Sequence, residues 1–151
     1  MDMEIKRQLE RLNQCVKAID AVYHSAAVRF GLSDSVFWIL LVLSESDRPY
    51  TQQELCGEWF YSKQTVNSAI QKLLREGHVH LEPVPSSRNS KLVFLTESGW
   101  QLAEDTVLRL SKADYAAFSR MNEEERSAFL ALHESITHCF RQKWNSFDIS
   151  I

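Results

Sequence analysis

The chain has 151 residues, 44% of them hydrophobic and 25% charged, with a formal net charge of −3, the size and composition of one globular domain. Its longest uninterrupted apolar run, Val36 to Leu43, falls far short of the roughly 20 residues that cross a bilayer, and the opening MDMEIKRQLE has no apolar signal core. Three cysteines, at positions 15, 56 and 139, make neither a disulfide framework nor a C-x-x-C metal pair. The expected compartment is a reducing cytoplasm.

In chain order, Ile5, Leu9, Leu12, Val16, Ile19, Tyr23 and Ala26 recur at alternating steps of four and three. That spacing predicts a long first helix, residues 1–30, with a heptad seam. A seam kept this long points to a partner chain; the plainer alternative is a helix packed on its own core. Phe30-Gly31 ends the helix, and Ser33 is a suitable N-cap for the next, with Leu32 and Phe37 at staple spacing. Val36 to Leu43 is apolar nearly all round, so the second helix should sit at the centre. Ser44 to Tyr50, with Pro49, reads as a connector.

Thr51 and Glu54 form a T-x-x-E capping box for a third helix, with Gly57 near its end and residues 58–61 as the turn. Ser62 can cap a fourth helix, with Tyr61 and Val66 as its staple and Gly77 as a left-handed stop. On that helix Val66, Ile70, Leu73 and Leu74 make one apolar stripe. The other side carries Lys63, Gln64, Asn67, Ser68, Gln71, Lys72 and Arg75. Amides and hydroxyls in the middle can read base edges, and cations toward the ends suit flanking phosphates. A merely solvated amphipathic helix would show the same two faces.

Val79 and Leu81 alternate with His78, His80 and Glu82 as in a half-buried strand, and Lys91 to Leu95 is the returning strand. The loop between them, PVPSSRNS, is too polar and proline-rich to pack, and Arg88 stands near its tip. An arginine on an extended loop suits a narrow minor groove. Residues 62–91 carry +3, which leaves −6 for the rest of the chain. A locally basic module in an acidic protein is the footprint of nucleic-acid binding. The predicted fold class is mainly α with a small β-hairpin wing: a winged helix-turn-helix over residues 33–96, flanked by N- and C-terminal dimerisation helices.

Thr96 caps a further helix predicted to run through 97–118, with Trp100, Ala103, Val107 and Leu110 on one face. Asn122 and Glu125 form another capping box, and the last helix spaces Phe129, Leu132, Ile136, Phe140 and Trp144 in heptad fashion. A chain that closes on Phe140, Trp144 and Phe147 needs something to bury them. The expectation is that the first and last helices of two chains intertwine through Ile5, Leu9, Leu12, Val16, Ile136, Phe140 and Trp144. Without repeats or flexible linkers, residues 1–151 read as one domain, with dimerisation helices at 1–30 and 122–151.

The order of helix, YSKQTVNSAIQKLLREG, short strand and SSRNSKLVFLTESG resembles the MarR (multiple-antibiotic-resistance regulator) family of bacterial transcription factors. The wing followed by L-T-E-S-G is the most specific part, and the likeness extends through the flanking helices. One departure is that Ser86 and Ser87 precede Arg88, where many family wings carry an acidic residue.

The resemblance implies a homodimeric regulator, a repressor relieved by a small ligand or other signal, on a pseudo-palindromic double-stranded DNA operator. Gln64, Asn67, Ser68 and Gln71 are candidates for base edges, and Ser62, Lys63, Thr65, Lys72 and Arg75 for phosphates. Thr51 and Gln52 on the preceding helix, and Arg88, Asn89, Ser90 and Lys91 of the wing, complete the candidate surface. The resemblance also implies a ligand cleft between the dimer helices and the winged lobe, near Tyr23, His24, Phe37, Trp38 and Trp100. The alternative there is plain core.

Peroxide-sensing members of the family use a cysteine on the first helix, which makes Cys15 a redox candidate. Tyr23 and Tyr50 are present, but the surrounding residues of that subgroup are not. His78 and His80, with His133, His138 and Cys139, fix no third ligand by spacing, so no metal site is expected. Neither a Gly-rich phosphate loop, G-x-S-x-G nor H-E-x-x-H occurs; the chain reads as a non-enzyme without cofactors. A rival from another class is a winged-helix module that holds a protein partner instead of DNA.

Overall fold

The computed structural model describes residues 2–59, 62–84 and 90–146. Its elements in chain order are α1 (Met3–Arg29), α2 (Asp34–Glu45), β1 (Tyr50–Thr51), α3 (Gln52–Trp59), α4 (Lys63–Arg75), β2 (Val79–Pro83), β3 (Lys91–Leu95), α5 (Glu97–Asp105), α6 (Val107–Phe118) and α7 (Glu123–Asn145). The chain divides into two compact units, residues 1–110 and 111–151.

The first unit is built around α2. Val36, Phe37, Ile39, Leu40, Leu41 and Leu43 are all buried, as a helix apolar on every side requires. Leu55, Val66, Ile70, Leu73, Val93 and Val107 belong to the same core. The helix ends follow from the sequence. The Ser33 hydroxyl accepts from the Val36 N–H and the Ser62 hydroxyl from the Thr65 N–H. α1 and α4 both close with a Schellman motif. Leu32 N–H donates to the Ala27 carbonyl and Gly31 N–H to that of Val28; His78 N–H donates to Leu73 and Gly77 N–H to Leu74. Gly31 and Gly77 take φ of 70° and 76°, which a side chain would resist.

The sheet is antiparallel with strand order β1-β3-β2. Val79 pairs with Leu95 and Leu81 with Val93, while Tyr50 pairs with Val93 from the other side. β1 departs from the predicted connector over 44–50. Two residues cannot show periodicity, and only the pairing with β3 makes them a strand. α3 also runs on to Trp59, past Gly57, where the turn was predicted from 58. The predicted staple of Tyr61 on Val66 lies outside the described residues.

The predicted helix over 97–118 is interrupted. Thr106 stands between α5 and α6 with φ −126° and ψ −90°, and its hydroxyl donates to the Leu102 carbonyl at 2.5 Å. A threonine bonding back to the i−4 carbonyl bends a helix. Here the helix breaks, and Thr106 is the buried polar residue that marks the place.

In the second unit the capping box predicted for Asn122 and Glu125 is complete: Glu125 N–H donates to Asn122 Oδ1 at 3.0 Å, and Asn122 N–H to the Glu125 carboxylate at 2.8 Å. Phe118 meets Phe129 edge-on at 6.4 Å, and Phe129 stacks on His133 at 5.8 Å. No residue of α7 is buried. Among the described residues no single helix is long and apolar enough to cross a membrane.

The junction after β3 explains why T-E-S-G follows the wing. The Thr96 hydroxyl donates to the Gly77 carbonyl at 2.6 Å and accepts from the Gly99 N–H at 3.1 Å. Thr96 N–H donates to the His78 carbonyl at 3.0 Å. A Cβ on Gly99 would stand 1.9 Å from that His78 oxygen. Gly99→Ala is therefore expected to destabilise the protein by about 3 kcal/mol or more, since overpacking against backbone cannot relax by a rotamer change. Equilibrium unfolding in urea measures it; an unchanged midpoint would show that α5 does not need this approach.

Candidate nucleic-acid interface

α4 divides its residues cleanly. Val66, Ala69, Ile70 and Leu73 are buried, while Lys63, Gln64, Asn67, Ser68, Gln71 and Arg75 are exposed and Thr65 and Lys72 half-exposed. Lys72 and Arg75 occupy the last turn, where the helix dipole favours cations.

α3 is held at its start by the predicted capping box. Thr51 N–H donates to Glu54 Oε2 at 2.7 Å and Glu54 N–H to Thr51 Oγ1 at 3.2 Å. Arg48 donates to Glu54 Oε1 at 2.9 Å and lies over the Tyr50 ring at 4.2 Å from its centroid. The hydrogen bond from the Thr51 backbone, then that from its hydroxyl, hold the Glu54 carboxyl below its ordinary range, and Arg48 adds to them.

Because β1 and α3 are continuous, and β1 pairs with β3, the start of α3 lies beside the base of the wing. There Thr51, Gln52, Gln53, Cys56, Lys63, Asn67, Ser90 and Lys91 line one cleft of about 290 Å³. Six of these were candidates from the sequence, drawn from three separate segments. Gln53 and Cys56 were not, because only the packing of α3 on α4 turns them into the cleft. The lining contains two lysines and no carboxylate. It can accept an anion with hydrogen-bond donors around it. Arg88 and Asn89 lie outside the described residues.

The aromatic candidates separate. Tyr23, Phe37 and Trp38 form one ring cluster, with centroids 4.7 Å apart for Tyr23–Trp38, 5.5 Å for Phe37–Trp38 and 6.4 Å for Tyr23–Phe37. Phe37 is core, 1% exposed. Tyr23, His24 and Trp38 line a cavity of about 300 Å³ with Asp20 and Asp34, and His24 Nδ1 lies 3.0 Å from the Asp34 carboxylate. Trp100 is 43% exposed on α5 and does not line that cavity. Cys15 is exposed. His78 Nδ1 is 2.9 Å from the Ser98 hydroxyl, and His80 stacks on Phe94 and meets Glu82 at 3.1 Å. Among the described residues no group of three or more His, Cys, Asp or Glu is placed to hold a metal.

Two packed helices, the second with an exposed polar face, together with a three-stranded antiparallel sheet, define a winged helix-turn-helix protein. Residues 30–88 match the model of the MarR family. No protein of curated function matches the chain. Among solved structures the chain is similar to a MarR family regulator from Neisseria meningitidis, at 21% identity and a TM-score of 0.75, over 91% of this chain and 96% of that one. A MarR transcriptional regulator from Methanosarcina mazei is 25% identical, TM-score 0.62, over 91% and 99%. A MarR family protein from Listeria monocytogenes, solved with a 26mer DNA, is 19% identical, TM-score 0.70, over 90% of each chain. Residues 30–88 are thus similar to the MarR family, and the chain shares the fold of these solved MarR regulators.

The Glu54 carboxylate gives α3 a pH dependence of definite sign. Its pKa is depressed in the folded chain, so its contribution is present at neutral pH and is lost as pH falls through the folded value. Glu54→Gln should lower the unfolding midpoint at pH 7, and the difference from wild type should shrink as both are titrated into the acid range. A difference that stays constant to low pH would mean that the carboxylate charge is not what holds the start of α3.

Proposed function

We propose that this protein is a transcriptional regulator that binds double-stranded DNA as a homodimer. The observation that carries the reading is the cleft where α3, α4 and β3 meet, with Lys63 and Lys91 among hydroxyls and amides and no carboxylate. A backbone phosphate seated there would bring the exposed middle of α4, Gln64, Asn67, Ser68 and Gln71, to the base edges of a major groove. Ser62, Thr65, Lys72 and Arg75 would flank it on phosphates, and Arg88 and Asn89 would extend the contact along the wing. The similar Listeria protein solved with DNA supports the same use of the fold.

The homodimer is supported by the apolar seams that each chain leaves uncovered. Ile5, Leu9, Leu12 and Val16 on α1, and Ile136, Phe140 and Trp144 on α7, are all at least 40% exposed. Pairing two copies through them would bury these faces and set the two α4 helices about one DNA turn, roughly 10 base pairs, apart. A pseudo-palindromic operator follows from that symmetry. In this reading the protein is a repressor released by a small effector.

Fluorescence anisotropy on DNA from just upstream of its own gene, against random duplex and across a salt series, tests the DNA reading. Binding should weaken steeply with salt, and Lys63→Ala or Lys91→Ala should each reduce the slope by about one. Arg88→Ala should cost about 1–3 kcal/mol. Salt-insensitive or absent binding to both duplexes would end the proposal. The dimer has its own test: Phe140→Asp with Leu9→Asp should give a folded monomer by sedimentation, with much weaker operator binding. A variant that still sediments as a dimer would place the interface elsewhere.

A further inference from the structure

Arg48 belongs to no helix or strand, yet its side chain is held by three neighbours. One guanidinium nitrogen donates to Glu54 Oε1 at 2.9 Å and to the Pro49 carbonyl at 3.2 Å, and the group lies 4.2 Å from the centre of the Tyr50 ring. Its backbone N–H donates to the Ser46 hydroxyl at 3.2 Å. The side chain is 56% exposed, and an ion pair alone is worth little at such a place. The planar fork and the ring face together fix the guanidinium in plane as well as in position.

What Arg48 holds is one half of a carboxylate. Glu54 Oε2 accepts from the Thr51 N–H at 2.7 Å and from the Thr51 hydroxyl at 2.9 Å, while Oε1 accepts from Arg48. Without the guanidinium the carboxylate is free to turn, and water competes for both oxygens. The first turn of α3 depends on that carboxylate, and its residues Thr51, Gln52 and Gln53 line the cleft with Lys63 and Lys91. Arg48 does not line the cleft. Successive side chains of a strand point to opposite faces, so with Thr51 toward the cleft, Tyr50 faces away. Tyr50 lines a separate hollow with Val42, Glu45, Ser46 and Asp47, where two carboxylates would repel a phosphate.

We propose that Arg48 is a positioning residue for DNA binding: through Glu54 it fixes the first turn of α3, so that Thr51, Gln52 and Gln53 meet a backbone phosphate already in place, and it does not itself touch the duplex. The inference rests on the DNA reading above and adds to it a residue outside the contact surface. A phosphate ligand and a positioning residue both weaken binding when removed, but they differ in salt dependence. Losing a ligand lowers the slope of log affinity against log salt by about one, because fewer counterions are released. Losing a positioning residue leaves the slope alone.

Anisotropy on the upstream duplex across a salt series, with Arg48→Ala, Glu54→Gln and the double variant, tests the assignment. Each single variant should weaken binding about two- to tenfold at every salt concentration, with the wild-type slope retained. Because both act through one bond, the double variant should match the weaker single variant to within about twofold. Without DNA, the Thr51 amide of Arg48→Ala should exchange hydrogen about threefold faster or more, with unchanged circular dichroism. Four results would each overturn the proposal while leaving the DNA reading in place: wild-type affinity in Arg48→Ala, a slope reduced by about one, single losses that multiply in the double variant, or wild-type exchange at Thr51. Wild-type protein that binds neither the upstream nor a random duplex would end the DNA reading and this assignment together.

Discussion

The arrangement of the winged lobe depends on one polar knot, the Thr96 hydroxyl between the Gly77 carbonyl and the Gly99 N–H. It joins three endings in a single group: the left-handed stop of α4, the exit of β3 and the start of α5. Each would otherwise leave a backbone group without a partner, at a cost comparable to a lost hydrogen bond. Gly99 is needed because α5 approaches the His78 carbonyl too closely for any Cβ. Shifting Thr96 by one residue would carry the strand register and the helix axis with it. The orientation of α4 and the position of the wing are therefore set by the same few atoms.

That coupling has a consequence for the candidate interface. α4 is anchored by its apolar side to α2 and by its C-terminus to the knot, so its exposed amides stand on a rigid support rather than on a loop. α3 is fixed independently through Glu54, Thr51 and Arg48. The cleft forms where these two anchored pieces meet β3, and its lysines arrive from α4 and β3. Preorganised donors bind an anion without first losing conformational entropy. The cleft's two lysines are long exposed side chains, so ordering them on an anion offsets part of that gain.

What the sequence made legible was local. Caps at Ser33, Thr51, Ser62, Thr96 and Asn122, stops at Gly31 and Gly77, and the two faces of α4 are written within a turn or two of chain, and each stands where its residues predict. Most of the misses needed distant partners. β1 is two residues long and exists only through Val93 and Leu92. The break at Thr106 hides inside an apolar pattern that continues through Ala103, Val107 and Leu110; nothing local says that the threonine will bond Leu102 rather than face solvent. Gln53 and Cys56 enter the cleft only after α3 packs on α4.

In the proposed DNA reading, the overall charge of −3 is an asset rather than a contradiction. Beyond a Debye length of about 8 Å at physiological ionic strength, exposed charges are largely screened. A phosphate in the cleft therefore responds mainly to the nearby Lys63 and Lys91. Duplexes that merely approach meet a net acidic protein, and nonspecific binding, which is almost wholly electrostatic, stays weak. Affinity then has to come from contacts that close only in register. On α4 those contacts are amides and hydroxyls, which discriminate bases through paired donors and acceptors rather than through charge. A net acidic chain with a basic cleft at this surface thus shifts the balance from affinity toward selectivity.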